Sequence, residues 1–185
     1  AMGTLFPMLN SIDGVLDCDL AAYCPIDSTL NVDLSALSAV CSLDGKNMVL
    51  FTNETFHQIA SKLRFKDRER NMIDHISADF MAKNYQIEIL PFRLDMDRYS
   101  FIVGGQHSMD MSFNYHIDVL KSPIPFNFGL DVNGKVGDFK YNLGKTRYTI
   151  LFNRPIQHEE YRMSKQRRLD EEKVEILREF RNVIP

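Results

Sequence analysis

The stretch that decides the fold is Met109–Val119, which reads MDMSFNYHIDV. Apolar and polar residues alternate in it without interruption, and this period of two is typical of a β-strand with one apolar and one polar face. The apolar side of the predicted strand carries Met109, Met111, Phe113, Tyr115, Ile117 and Val119. Because burying apolar surface is favourable by about 25 cal/mol per Å², this face needs a cover. A core closed by the same chain and a groove for acyl chains both fit the pattern.

The same alternation recurs along the chain. Shorter alternating runs are Leu16–Leu20, Leu30–Leu34, Tyr85–Ile89, Phe92–Met96 and Phe126–Val132, and less regular strand candidates are 47–51, 76–80, 100–103, 139–143 and 147–152. From the run Phe126–Val132, the residues Phe126, Phe128 and Leu130 join the predicted apolar face. Turn signals such as Asp44-Gly45-Lys46-Asn47 separate the runs, mostly near every ten residues. Clean alternation favours a long, curved antiparallel meander with one wetted face over a parallel sheet.

Two segments have a helical pattern. After Thr52-Asn53, which can cap a helix, four apolar residues recur at helical spacing and predict a short helix packed on the sheet: Phe56, Ile59, Ala60 and Leu63. The stretch 159–182 holds seven basic and seven acidic residues. It predicts a charged C-terminal helix that docks by one thin apolar edge, and a partner-binding helix is the alternative. The fold class is therefore mainly β (α+β).

Length and charge limit the function classes. The chain has 185 residues, with 22 Lys+Arg against 25 Asp+Glu and a net charge of −3, so nucleic-acid binding has no electrostatic support. No apolar run approaches the roughly 18 residues of a membrane span. The opening Ala1-Met2 looks like a cloning remnant, and we interpret the chain as the C-terminal piece of a longer protein. We expect a leader and first-strand start at 1–13, a β-sheet domain at 14–153 and a charged tail at 154–185.

No motif for catalysis is recognisable in the sequence. We find no P-loop, dinucleotide fingerprint, zinc-protease motif or nucleophile elbow, and we predict no catalytic residue, no metal site and no cofactor. Asp110, His116 and Asp118 share the polar face of the predicted strand, which we expect to be wet. Neighbouring side chains on that face stand about 6.6 Å apart, so another strand would have to complete any metal site. The chain is predicted not to be an enzyme.

The three cysteines are Cys18, Cys24 and Cys41. This number excludes a four-cysteine zinc site. Cys18 alternates with Leu16 and Leu20, which predicts a small buried residue. One disulfide bond is compatible with the count, and the sequence does not say which pair would form it.

Six further stretches form a recognisable pattern: Phe65–Asp67, Met72–Asp79, Ile89–Tyr99, Val103–Asp110, Phe113–Ile117 and Leu120–Pro123. In sequence and in the order of their elements, they resemble the C-terminal region of AsmA-like proteins of the Bacteroidetes type, which are related to TamB-like envelope proteins. The resemblance covers roughly Gly14 to Tyr148. These are structural signatures, and the family pattern brings no catalytic residue with it.

The resemblance implies a periplasmic domain whose parent protein is anchored in the inner membrane by a segment absent from this chain. It implies a role in outer-membrane biogenesis and in phospholipid transport between the two membranes, along an apolar β-sheet groove. The expected partners are phospholipid, the remainder of the longer parent chain and other envelope proteins, with no nucleic acid. One alternative is a closed scaffold or protein-interaction domain that assists outer-membrane protein assembly. A second is a hydrolase or glycan-binding module.

Overall fold

A computed structural model of the protein describes residues 12–26, 28–29, 31–51, 70–96, 99–135 and 138–183. Within these residues the protein is mainly β, with one antiparallel sheet followed by a long helix. The strands are β1 (Ile12–Asp13), β2 (Leu16–Tyr23), β3 (Ser38–Phe51), β4 (Arg70–Lys83), β5 (Gln86–Met96), β6 (Tyr99–Ser108), β7 (Ser112–Lys121), β8 (Phe128–Lys135) and β9 (Asp138–Gly144), and the helix is α1 (Pro155–Val183). The predicted antiparallel meander with a charged C-terminal helix is confirmed. The predicted helix face of Phe56, Ile59, Ala60 and Leu63 lies outside the described residues.

The sheet follows the order of the chain from β3 to β9, and each strand pairs with the next one. β1 and β2 both pair with β3 along the same side, so together they form one edge of the sheet, and β9 forms the other. The turn between β4 and β5 shows why neighbouring strands pair. Asn84 and Tyr85 both have positive φ, 52° and 65°, which is the backbone of a two-residue turn that joins twisted antiparallel strands.

The turn predicted at 44–47 is wrong, because β3 runs through it from Ser38 to Phe51. Asn47 instead takes a left-handed backbone conformation, with φ of 52°, which asparagine tolerates better than most residues. The alternation shifts at this residue. Leu43 before it and Met48 after it are buried in the same hydrophobic cluster although one number is odd and the other even. Gly45 leaves the space that the Met48 side chain occupies.

The predicted eleven-residue strand Met109–Val119 is wrong in its first three residues. β7 begins at Ser112, and residues 108–111 form the turn from β6. The Met111 N–H donates to the Ser108 carbonyl at 2.9 Å, and Met111 has φ of 67°. In this stretch a tight turn shows the same alternation of apolar and polar residues as a strand, because the apolar Met109 and Met111 flank the polar turn residue Asp110.

Two further predicted strands have different boundaries in the structure. β8 begins at Phe128, so Phe126 precedes it and is 65% exposed. The strand predicted at 147–152 is wrong, since residues Thr149–Leu151 form a 3-10 turn. The physical reason for that turn is the buried carboxylate of Asp118, which binds the backbone there.

Helix α1 packs on one face of the sheet, over β2 to β5. Leu169 and Ile176, each 3% exposed, form a cluster with Val40 of β3 and Leu90 of β5. Pro155 occupies the first helical position, where its missing N–H breaks no helical hydrogen bond. The predicted thin apolar edge of this helix is therefore confirmed in Leu169 and Ile176.

Ion pairs flank this apolar contact. Lys165 pairs with Asp79, Arg168 with Glu88, and Lys173 with Asp19, at 2.5, 2.8 and 2.7 Å. Arg168–Glu88 and Lys173–Asp19 are at least partly exposed, and such pairs typically contribute below about 1 kcal/mol each. Lys165–Asp79 is largely buried, with side chains 19% and 10% exposed. The ion pairs thus surround the buried contact of Leu169 and Ile176.

Candidate functional site

The first candidate site is the side of the sheet opposite α1, which we call the apolar face. Its buried members come from every strand from β3 to β8: Cys41, Leu43, Ile76, Ala78, Phe80, Ile87, Ile89, Phe101, Val119, Phe128, Leu130 and Val132. Partly buried side chains surround them on the same face: Leu16, Phe92, Leu94, Val103, Met109, Phe113, Tyr115, Ile117 and Phe139. The apolar face is thus continuous across nearly the whole sheet.

The structure brings most of the predicted face residues together. Met109, Phe113, Tyr115 and Ile117 are partly buried there, and Val119, Phe128 and Leu130 are buried. Met111 and Phe126 are not part of this cluster, because Met111 lies in the turn before β7 and Phe126 lies before β8. The face is dry at Val119 and partly accessible along the rest of β7.

Two aromatic side chains, Phe113 and Tyr115, lie in the partly accessible part of the apolar face on β7. The rings of Phe113 and Tyr115 stack with centroids 5.5 Å apart. The Tyr115 hydroxyl lies 2.7 Å from Nδ1 of His107, a buried side chain of β6. Burial raises the pKa of the Tyr115 phenol, so this hydroxyl stays protonated and hydrogen-bonded inside the face. This polar pair is satisfied internally, and the apolar side chains around it are suited to hydrocarbon.

The apolar face reaches solvent at both edges of the sheet. On β9, Tyr141 and Leu143 lie opposite Val132 and Leu130 of β8, and directly opposite residues share a face. Leu130 is 1% exposed, whereas Leu143 is 66% exposed. At the other edge, Leu20 of β2 is 53% exposed. Each edge therefore presents an open apolar rim beside a buried interior.

The second candidate site is a buried polar network on the opposite face, which we call the Asp118 cluster. Asp118 is 0% exposed. Its Oδ1 accepts the Arg147 N–H at 2.9 Å, and its Oδ2 accepts the N–H groups of Tyr148 and Thr149 at 2.8 and 2.7 Å. The Thr149 hydroxyl also donates to Oδ2, at 2.8 Å. One carboxylate thus satisfies the backbone that opens the 3-10 turn Thr149–Leu151.

His116 connects this carboxylate to a second one. Its Nε2 lies 2.8 Å from Asp118 Oδ1 and its Nδ1 lies 2.7 Å from Asp131 Oδ1 of β8. The ring is 2% exposed and makes an edge contact with the Tyr148 ring, with centroids 5.4 Å apart. Arg147 Nη2 donates to the other oxygen of Asp131 at 2.8 Å. Both imidazole nitrogens are therefore engaged by carboxylates.

The expectation that this face is wet is wrong at His116 and Asp118. Residues 145–149 fold over β7 and β8 and cover it: a Cβ added at Gly129 would collide with the Lys145 carbonyl. Because every oxygen of Asp118 and both nitrogens of His116 already have partners, the cluster holds the β9–α1 connection in place. The sequence gives no signal for it, since the covering residues lie about thirty positions further along the chain.

A small polar cleft lies beside β5 and β6. It has a volume of about 380 Å³, and its lining includes Arg93, Asp95, Tyr99 and Lys121. Burial would raise the pKa of Asp95, but hydrogen bonds from Arg93 and Ser100 hold it below its usual value. The Asp95 carboxylate thus stays ionised, and Arg93 and Ser100 already compensate its charge.

The remaining observations concern metals, membranes and relatives. In the part of the chain that the structure describes, no group of three or more His, Cys, Asp or Glu side chains is arranged to hold a metal ion. No helix among the described residues combines the length and hydrophobicity needed to cross a membrane. Comparisons with known protein families, with curated proteins and with solved structures found no match. The resemblance to AsmA-like proteins therefore stays a prediction.

Proposed function

We propose that this chain binds the acyl chains of phospholipid on its apolar face, as a non-enzymatic domain of an AsmA-like envelope protein. In this proposal the domain is periplasmic, and its parent protein helps to move phospholipid between the inner and outer membranes. The lipid headgroup stays in water at the rim of the sheet, while the hydrocarbon lies along the strands.

The observation that carries the proposal is the continuity between a buried apolar interior and an open apolar rim. Leu130 and Val132 are dry, and their partners on β9, Leu143 and Tyr141, are exposed. An acyl chain laid on this rim would gain about 0.8 kcal/mol for each methylene that it buries. Helix α1 packs on the opposite face and leaves this rim accessible.

The Asp118 cluster supports the non-enzymatic part of the proposal. Its carboxylate accepts three backbone N–H groups, a hydroxyl and an imidazole. A general base needs a lone pair aimed at substrate, and these bonds take up the lone pairs of Asp118. Its chemistry is that of a structural support.

A matched pair of variants tests the proposal. Leu143 on the rim and Leu177 on the outer side of α1 are similarly exposed, at 66% and 61%. The chain is purified in the presence of bacterial phospholipid and examined by native mass spectrometry, and bound lipid is then extracted and quantified. We expect phospholipid on the wild-type chain and on Leu177→Asp, and a several-fold loss on Leu143→Asp. Equal loss in both variants, or folded wild-type chain without lipid, would contradict the proposal.

A closed scaffold or protein-interaction domain is the second candidate. The observation that favours it is the dry interior of the same face, where Val119, Leu130 and Val132 are at most 3% exposed. In that case the exposed rim would contact envelope proteins. Lipid-free chain in the experiment above would favour this candidate.

The hydrolase or glycan-binding alternative has less support. It would use the polar cleft beside β5 and β6, whose carboxylate Asp95 is bound by Arg93 and Ser100. Glycan sites usually combine polar groups with apolar and aromatic walls. Among the described residues that line the cleft, Tyr99 is the single aromatic one.

A further inference from the structure

Two cysteines from neighbouring strands lie in contact at one edge of the apolar face. The Sγ atoms of Cys18 on β2 and Cys41 on β3 are 3.4 Å apart. Cys18 is exposed and Cys41 is buried, which corrects the prediction that Cys18 is a buried residue. Cys18 is exposed because β2 is an edge strand, so that the apolar face has no further strand beyond it within the described residues.

The two residues lie diagonally across the strand pair. Cys18 is directly opposite Leu43, and Cys41 is directly opposite Leu20. Diagonal neighbours are further apart at Cα than directly opposite residues, so bonding requires the sulfurs to approach from contact distance to about 2.05 Å. The outer edge of β2 has no strand partner among the described strands, so a small shift of β2 towards β3 breaks no strand pairing.

The third cysteine occupies a different environment. The Cys24 thiol donates to the Asp33 carbonyl at 3.3 Å, in the segment after β2. Its sulfur therefore has a local partner, whereas the sulfurs of Cys18 and Cys41 have each other. Of the three cysteines, Cys18 and Cys41 are therefore the pair in contact.

We propose that Cys18 and Cys41 form a disulfide bond that fastens the edge strand β2 to β3, with a small-molecule disulfide such as glutathione disulfide as the oxidant. The exposed Cys18 thiolate attacks one sulfur of the oxidant and displaces one glutathione thiolate. The Cys41 thiolate then attacks the Cys18 sulfur, forms the Cys18–Cys41 bond and displaces the second glutathione thiolate. Two protein thiols lose two electrons, the oxidant gains them, and the two protons pass to the released glutathione.

The second step requires the buried Cys41 as its thiolate. Burial raises the pKa of the Cys41 thiol to about 12. Only the thiolate is nucleophilic, so closure of the bond accelerates as the pH rises. Cys18 reacts first because it is exposed and needs no opening of the apolar face.

The test is a peptide map of the full chain after exposure to glutathione disulfide. Free thiols are alkylated without reduction, and the digested chain is analysed by mass spectrometry. We expect the Cys18 and Cys41 peptides to be joined, with a mass about 2 Da below the sum of the two reduced peptides, and Cys24 to be alkylated. A linkage that includes Cys24, a stable mixed disulfide at Cys18, or three alkylated cysteines would each overturn the proposal.

Cys18 is exposed and Cys24 is partly exposed, so replacing either one with serine leaves the buried core side chains unchanged. Oxidation of wild-type chain and of Cys24→Ser should raise the melting temperature by about 5–10 °C, because the bond closes a loop in the unfolded state. Cys18→Ser should show no such rise. A rise that survives in Cys18→Ser, or its absence in Cys24→Ser, would contradict the assignment. The outcome is independent of lipid, so it is separate from the test of the proposed function.

Discussion

Replacement of Asp118 is the sharpest test of how the sheet holds its C-terminal helix. Asp118→Ala removes the acceptor of the backbone N–H groups of Arg147, Tyr148 and Thr149 and the partner of the His116 ring. Each buried donor that loses its acceptor costs about 1–3 kcal/mol, less where water enters. Several buried donors lose their acceptor at once, but the turn can open and become solvated, so we expect a total loss of about 3–5 kcal/mol.

An isosteric variant separates charge and hydrogen bonding from volume. In Asp118 both oxygens accept hydrogen bonds, Oδ1 from Arg147 and His116 and Oδ2 from Tyr148 and Thr149. Asparagine keeps the shape but replaces one oxygen with an NH₂ group, which is a donor. In either orientation this group faces donors, so Asp118→Asn should still lose at least about 2 kcal/mol.

Urea unfolding measures these losses, and amide hydrogen exchange locates them. We expect the exchange of the N–H groups of residues 147–149 to be slow in wild-type chain and fast in both Asp118 variants. Asp131→Ala is the control, because it removes only contacts with His116 and Arg147 and should lose about 1–2 kcal/mol. Losses below about 1 kcal/mol in both Asp118 variants would refute the view that this carboxylate holds the β9–α1 connection.

Two other predictions concern the helix and one turn. Leu169→Ala should lower the free energy of unfolding by about 2–4 kcal/mol, because it removes a buried side chain. Leu177→Ala, at a position 61% exposed, should change it by less than about 0.5 kcal/mol. Equal effects of the two variants in urea unfolding would show that α1 is not docked by Leu169. Hydrogen bonds from Ser112 and then from Lys135 lower the pKa of Asp110 to about 2, so its stabilising contribution is present above the ordinary carboxyl pKa and is lost as the pH falls through about 2. Carboxyl NMR titration should give this midpoint and a higher one in Lys135→Ala, and an unchanged midpoint in that variant would contradict the assigned contact.

Alternation predicted the strands well where a residue's surroundings are local. The runs at Tyr85–Ile89 and Phe92–Met96 both lie within or beside β5, and the candidate at 139–143 coincides with β9. In these strands successive side chains point to opposite faces of one sheet, so the period of two in the sequence corresponds directly to the strand geometry.

The same reasoning failed where one residue changes the backbone. Asp44-Gly45-Lys46-Asn47 carries the composition of a turn, but β4 pairs with Asp44, Gly45 and Lys46 and again from Met48 onwards. Within the stretch, Asn47 alone departs from strand geometry. Met109–Met111 continues the alternation of β7, but forms a turn. Composition alone does not distinguish these cases, because tertiary pairing decides between them.

The Asp118 cluster was beyond prediction for a different reason. His116 and Asp118 read as wet polar residues on their own strand, and Arg147–Thr149 read as part of another strand. Their burial depends on a contact between segments about thirty residues apart. No local period encodes that contact. The exposure of Cys18 likewise follows from the position of β2 at an edge of the sheet.

The most direct measurement of acyl-chain binding is NMR of methyl-labelled chain mixed with a phospholipid that carries a nitroxide on its acyl chain. We expect paramagnetic broadening of the methyl signals of Ile117 and Leu143 on the apolar face, and unchanged signals from Val174 and Leu177, which are exposed on α1. Broadening confined to α1, equal broadening on both surfaces, or none at all would contradict acyl-chain binding on the apolar face.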